Sequence, residues 1–499
     1  MNVKRKHARL NALDNRGKLI ADDDGDLAFS KDAKEGVEPF LQQRFNPLID
    51  VGVKSIAWCS MWGIAVGKEE TTYWETQQLN RPLNNIIHDP TTVMVEAAKE
   101  NDIEIFSSIR MNDTHDAIGK PHGKLNYPLK VQNLDWLLGS ENQESDFKKA
   151  PESLIWSGLN YAIEKVREDR LWWIRHTIDN YNIDGIDLNF FRMPWFFKPG
   201  QVLSGIPIMT NFIRNVSNLI DRNNDKFISK LLGVRVPGTI EACFRVGIDI
   251  ETWLKEGLVD RLLVGGGYMP YTNPFEELVS LGHQYEVPVY PCINFGVNDT
   301  KQDAAVRGAA TNIYWSGADG IYLWNYQYRD APKLSYGRPV NEVYELLREL
   351  SLPSVMDKKA KLFCVENLEQ VTPYSIASDT TQLPLDLGTH SFNSTKMVRM
   401  RIGDKLNRTS VECLLILKLE GLKDGDSITL QINGRLLSST LKPSSYTEAD
   451  NLNGKLFYEV PNEVIVTGDN RLVFWIDDRD TRHSNSILLS NVWLYVYGD

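Results

Sequence analysis

Between residues 52 and 351, short apolar runs rich in β-branched residues alternate with amphipathic stretches, and no other feature of the chain constrains its fold so tightly. Strands and helices in strict succession build parallel sheets, because each crossover must carry the chain back before the next strand can start in the same direction. The strand candidates are 53–60 (VKSIAWCS), 103–110 (IEIFSSIR), 154–161 (LIWSGLNY), 183–190 (IDGIDLNF), 231–236 (LLGVRV), 259–265 (VDRLLVG), 287–295 (VPVYPCINF) and 320–326 (GIYLWNY). Eight strand–helix pairs in about 300 residues predict a (β/α)8 TIM barrel rather than an open sheet.

The helices between them carry their own signals. Asp89 stands where an N-cap belongs, Pro90 suits the first helical position, and TTVMVEAAKEND follows. In 162–179, Ile163, Val166, Leu171 and Ile174 line one apolar stripe with charges opposite. One connection is far longer than the rest: about 43 residues, 111–153, follow the second strand, and loops of that length in a compact domain tend to be functional.

Beyond about residue 357 the period changes to alternating strands with polar turns, as in LLILKLEGLKDGDSITLQINGRLL, which predicts an all-β sandwich. The expected organisation is therefore an N-terminal extension over 1–45 that packs on the barrel and supplies a leading strand or a collar, a barrel over 46–355, and a sandwich over 356–499. A chain of 499 residues has room for both cores.

Composition narrows the partners. A formal net charge of −11 disfavours nucleic acid, which needs a basic face. No run of about 18 apolar residues occurs, so no membrane span is expected. The basic start MNVKRKHARLNALD lacks the apolar core of a secretory leader, which fits a cytoplasmic protein, or an exported one whose leader has been removed. The five cysteines, at 59, 243, 292, 364 and 413, are widely spaced and odd in number, so neither a disulfide framework nor a zinc knuckle is expected. No ligand spacing for a metal, no dinucleotide fingerprint and no GxSxG elbow is present, so neither metal nor cofactor is expected.

In a barrel of this kind, polar residues at the carboxyl ends of the strands project into the mouth. That rule selects Arg110, Asn112, Asp113 and His115 after the second strand candidate, Asn160 and Tyr161 after the third, and Asp187, Asn189 and Arg192 with the fourth. It adds Arg235 and Glu241 from the fifth, Tyr268 from the sixth, Asn294 from the seventh, and Trp324, Asn325 and Tyr326 from the eighth. Asp187 and Asn189 are two apart and face inward together. Arginines beside Asp187, namely Arg110, Arg192 or Arg235, would favour its ionised form, or simply pair with it. Glu241 could complete a carboxylate pair, in which one acid protonates a leaving oxygen while the other group attacks or activates water. It reads equally as a glutamate favoured at a helix start, and Asp113 and His115 are alternatives for proton transfer. The aromatics of FFRMPWFF, Trp195 among them, would line the rim as stacking platforms or pack on it as an apolar lid.

The segments IRMNDTHD, LNYAIEKVRE, YNIDGIDLNFFRMP, VRVPGTIEACFRVGIDIETWLKEGLVD and DGIYLWNY together resemble the glycosyl-hydrolase-like 10 proteins, and through them the sulfated-fucan hydrolases of glycoside hydrolase family 168. The resemblance spans roughly residues 50 to 350 and implies glycoside hydrolysis on a barrel of this type, with Asp187 and Glu241 as the catalytic pair. Arginines at the mouth of an acidic protein favour an anionic polysaccharide, sulfated or uronic, cut within the chain. Relatives commonly carry a second acid where this chain has Asn189. The alternatives are thus a non-catalytic glycan-binding protein on the same scaffold, or a polysaccharide lyase.

Overall fold

The computed structural model describes residues 3–14, 18–23, 25, 36–59, 89–117, 125, 127–141, 152–191, 193–223, 230–265, 274–294, 303–324, 340–366, 382–391, 394–406, 412–439, 454–480 and 482–497. Eight parallel strands close into a barrel in sequence order: β1 (Lys18–Asp23), β2 (Val53–Trp58), β3 (Glu104–Arg110), β4 (Gly185–Asn189), β5 (Leu231–Val236), β6 (Arg261–Val264), β7 (Val289–Asn294) and β8 (Gly320–Trp324). β1 closes the ring by pairing with both β2 and β8.

The eight are not quite the eight expected. Residues 152–157, overlapping the start of the expected third strand, form a 3-10 turn, and Leu159 makes a lone bridge to Leu137. Gly158 permits this folded-back run: a Cβ there would lie 2.8 Å from the Leu138 side chain and 3.1 Å from the Ile155 carbonyl. Its place is taken by KLIADD, which supplies the leading strand. Only Leu19, Ile20 and Ala21 are apolar there, a run too short to be distinguished from loop by periodicity.

The barrel interior is filled by alternate side chains, with Ile20, Ala57, Leu263, Tyr290, Cys292, Tyr322 and Trp324 in one cluster. The larger apolar core lies between the strands and the surrounding helices, and includes Ile56, Ile105, Leu188, Val234, Leu262 and Ile321. Two glycines make room inside the barrel: a Cβ at Gly185 would fall 2.3 Å from the Phe106 ring, and one at Gly233 would fall 1.9 Å from an Asp187 oxygen.

Helix starts follow the expected chemistry. Asp89 caps the helix Pro90–Glu100 by accepting from the Thr91 and Thr92 amides. The helix Glu164–Asn180 buries Val166 and Ile174 on its inner stripe. The first helix, Val3–Asp14, is pinned beneath β6, at its amino end. There Arg5 is fully buried and donates to Asp260 (2.5 Å), Ser217 (2.7 Å) and the Leu258 carbonyl (2.5 Å).

From Lys361 the chain forms two antiparallel sheets. One has strands in the order β10 (Leu385–Gly388), β17 (Ile487–Tyr497), β12 (Glu412–Glu420), β15 (Lys455–Glu459), with β9 (Lys361–Val365) also on β17. The other has the order β11 (Lys396–Ile402), β16 (Gly468–Asp478), β13 (Ser427–Ile432), β14 (Arg435–Leu437). Val398, Leu415, Leu417, Leu430, Phe474 and Leu494 join the two in one core, a sandwich as expected. It sits against the barrel helix Asp303–Trp315, where Gly308 lets the Leu362 backbone approach and Asn312 bonds both Gly403 N and Arg401 O.

Candidate active site

Because Phe106 and Ile20 face into the barrel, alternation places Ser108, Arg110 and Asp22 on the same side of their strands. The ladder register then sets three inward residues abreast on neighbouring strands: Arg110 beside Asn189, and Asn189 beside Arg235. Across the barrel, Asp22 stands near the end of β1, while Tyr322 and Trp324 stand at the end of β8. Tyr322 donates its hydroxyl proton to Asp22 (2.5 Å). The Arg235 guanidinium lies over both the Tyr322 ring (5.2 Å) and the Trp324 ring (5.4 Å), and its Nε donates to the Gly265 carbonyl (3.1 Å).

Electrostatic effects place these groups in one neighbourhood. Burial pushes Tyr322 well above the ordinary phenol range and the Asp22 carboxylate adds to it, so the hydroxyl remains a donor. Burial also pushes the Cys292 thiol up to about 12, with Arg235 pulling it down and Asp22 pushing it further.

Asp187 is not at the mouth. It lies two residues before the end of β4, and both its oxygens accept from Arg261, Nε at 2.8 Å and Nη2 closer still; it is as buried as Asp22, Arg235 and Trp324, so the ion pair and its position on the strand set it apart. Arg261, the first residue of β6, also donates to Ser55 (3.0 Å) low on β2 and rests 3.2 Å from the centre of the Phe106 ring. Alternation predicts that Asp187 faces inward but not its depth, and the partner is none of the three arginines expected. Glu241 occupies the first turn of the helix Ile240–Arg245, its side chain 74% exposed and paired with Arg245 (2.6 Å). One carboxyl is buried in an ion pair inside the barrel and the other lies in solvent.

Several other candidates bond the backbone or side chains of the connecting segments. Asn112 bonds the backbone of Leu159 in both directions and the Trp195 carbonyl, joining three segments. Tyr161 is fully buried, donates to the Met111 carbonyl and packs edge-on against Phe196 and Phe212. Asn160 accepts from Ala162 N and donates to Gln201. Long connections that are buried must pair their backbone groups, and these side chains do that. Asn189 likewise accepts from Phe191 N as the chain leaves β4.

The aromatic run after β4 is not an exposed platform. Phe190, Phe191, Trp195, Phe196 and Phe197 are all buried. Phe190 meets Phe196 and Trp253, while Phe197 fits where Gly205 and Gly247 have no side chains. Apolar area removed from water outweighs display at a rim.

Arg110 and Asp113 form a buried ion pair (2.7 Å). Behind it the Lys130 ammonium donates to the Asp113 carbonyl (2.7 Å) and to Asp116, which also accepts from Ser157 (2.8 Å). Burial raises Asp116 and lowers Lys130 from their ordinary values. Two buried polar atoms in the connections after β3 and β4, Thr114 Oγ1 and Trp195 Nε1, have no hydrogen-bond partner among the described residues.

Arg192, Tyr268, Asn325 and Tyr326 lie outside the described residues, as do the side chains of His115 and Asn294. Among the described residues no three metal-ligating side chains converge, and no helix is long and apolar enough to cross a membrane. Asp22, Tyr322, Arg261 and Lys130 escaped the sequence reading. Asp22 had a signal in LIADD, an apolar run ending in acids, which is the same pattern that singled out Asp187.

No family model matches the chain, and no curated protein matches it in sequence. Solved structures similar to it include the glycoside hydrolase domain of PgaB (BpsB) from Bordetella bronchiseptica, 9% identical over 67% of this chain and 98% of that one, TM-score 0.45. An endo-1,4-beta-mannanase from Rhizomucor miehei is 13% identical over 67% and 93%, TM-score 0.43. A noncanonic maltogenic alpha-amylase, AmyB, from Thermotoga neapolitana is 12% identical over 95% and 100%, TM-score 0.39. Likenesses this distant carry no chemistry from those proteins to this one.

Proposed function

We propose that the chain is a glycoside hydrolase acting within an anionic polysaccharide, sulfated or uronic, at the carboxyl end of its barrel. The observation that carries this reading is the composition of the inward positions. Lower in the barrel they include Ile20 and Phe106 with the mutually neutralised Asp187–Arg261 pair, whereas toward the upper ends of β1, β3, β4, β5 and β8 they are Asp22, Arg110, Asn189, Arg235 and Trp324. Charged and aromatic side chains gathered at that end supply what hydrolysis of a charged sugar needs: a carboxylate for the anomeric centre, a guanidinium for the anion, and a ring face for the sugar. The motif resemblance to glycosyl-hydrolase-like 10 proteins points the same way. Glu241, exposed on the rim after β5, is a described acid open to the role of proton donor to a leaving oxygen.

The test is a panel of sulfated, uronic and neutral polysaccharides, followed by reducing-end release and product sizing. Saturated oligosaccharides from anionic members support the proposal. Products absorbing near the ultraviolet edge would indicate a lyase, and binding without new reducing ends a non-catalytic glycan-binding protein.

A further inference from the structure

We propose that Asp22, at the end of β1, is the catalytic carboxylate of this mouth, with Tyr322 as its positioning residue; the proposal rests on the glycoside hydrolase reading. Four observations support it. Alternation from Ile20 turns Asp22 inward, and the ladder sets Ala21 opposite Leu323, so Asp22 stands level with Trp324, the last residue of β8. Asp22 and Asp187 are equally buried and lie one and two residues short of their strands' ends, but Asp187 gives both oxygens to Arg261 whereas Asp22 accepts from a neutral phenol. Tyr322, one step below Asp22 on the neighbouring strand, donates directly to the carboxylate, which fixes its rotamer and favours the anion. Arg235 lies over the same tyrosine ring, beside Trp324, where a ring face and an anion-binding group meet.

A carboxylate that accepts a hydrogen bond from a phenol is oriented for the role of nucleophile or base. As the glycosidic C–O bond breaks, the departing oxygen takes a proton from a rim carboxylic acid. Asp22 either bonds the anomeric carbon, to be released by water, or takes the proton of the water that attacks it. The titratable and charged groups whose fields meet Tyr322 and Cys292 beside it are Arg235 on β5 and Asp187 on β4.

The test compares wild type, Asp22→Asn, Asp22→Gly with and without azide, and Tyr322→Phe, on the anionic polysaccharide that wild type cleaves best. Asp22→Asn is expected to lower kcat at least about 100-fold with little change in KM, the scale of losing a positioned acid–base or nucleophilic group. Azide is expected to restore turnover to Asp22→Gly. Tyr322→Phe is expected to cost about 10- to 100-fold in kcat, the worth of one hydrogen bond to a charged group, and to move the acid limb of the rate profile to higher pH. A merely structural tyrosine would leave that limb in place. If wild type is active and Asp22→Asn retains kcat within tenfold, or if Tyr322→Phe leaves both rate and limb unmoved, this assignment is overturned while the hydrolase reading stands. If wild type cleaves no glycan, both fail.

Discussion

Replacing Asp187 with asparagine tests what the ion pair inside the barrel does. The carboxylate and the Arg261 guanidinium are 1% and 4% exposed, in a bidentate contact, with Gly233 on one side and Phe106 beneath the guanidinium. Asparagine fills the same space and keeps one acceptor, but leaves a buried positive charge without its bidentate partner, beside the Ser55 hydroxyl and the Phe106 ring and with the Glu104 charge acting on it. Breaking a buried pair in this way costs about 3–5 kcal/mol. In a domain this large each kcal/mol is worth roughly 2 °C of melting temperature, so the expected fall is about 6–10 °C. Thermal and urea unfolding followed by circular dichroism measure it. The double variant Asp187→Leu with Arg261→Met, which removes both charges together, should recover most of the loss. A single variant as stable as wild type to within about 1 kcal/mol, a cost typical of exposed pairs, would refute the structural role argued here.

Further outcomes follow from the same geometry. Arg5→Ala removes the cation buried against Asp260 and is expected to cost about 3–5 kcal/mol by urea unfolding. Burial holds Asp260 above the usual carboxylate range even with Arg5 beside it. A raised folded pKa favours the protonated form, so the variant's deficit should be smallest in acid and grow as pH rises through that pKa. Arg235→Lys loses the planar stack over Tyr322 and Trp324, and should raise KM for a sulfated glycan about tenfold, the worth of one charge-assisted hydrogen bond, while changing KM for a neutral glycan little. None of the five cysteines is in a disulfide and four are buried, with Cys243 and Cys364 well above the ordinary thiol range and Cys292 and Cys413 pushed up to about 12, chiefly by burial. Native protein at pH 8 should therefore resist alkylation while denatured protein takes up five labels. Rapid labelling of two or more thiols in the native state would contradict the burial.

How far the sequence was legible depended on which physical signal each residue carried. The barrel and sandwich were readable because two hydrophobic periods differ, and the Asp89 cap because its chemistry is local. The first strand was hidden by its acidic end: Asp22 and Asp23 make a third of a six-residue strand acidic. The run 154–161 looked like a strand because apolar content alone cannot separate a strand from a buried loop. Inward parity was legible for Asp187, Asn189, Arg110 and Arg235, and the structure places all four on that side. Depth was not legible, since it depends on where a strand ends and on which long side chain reaches in from a distant strand, as Arg261 does. Asn112 and Tyr161 look like mouth residues in sequence and serve as backbone partners in the fold, because a long buried connection must satisfy its own polar groups.

The most direct test is a comparison of kcat for Asp22→Asn and Asp187→Asn, at a temperature where both are folded by circular dichroism, on an anionic polysaccharide cleaved by wild type. The account predicts that Asp22→Asn is folded and nearly inactive, whereas Asp187→Asn is less stable yet turns over per folded molecule at a rate near wild type. An inactive, fully stable Asp187→Asn beside an active Asp22→Asn would contradict it.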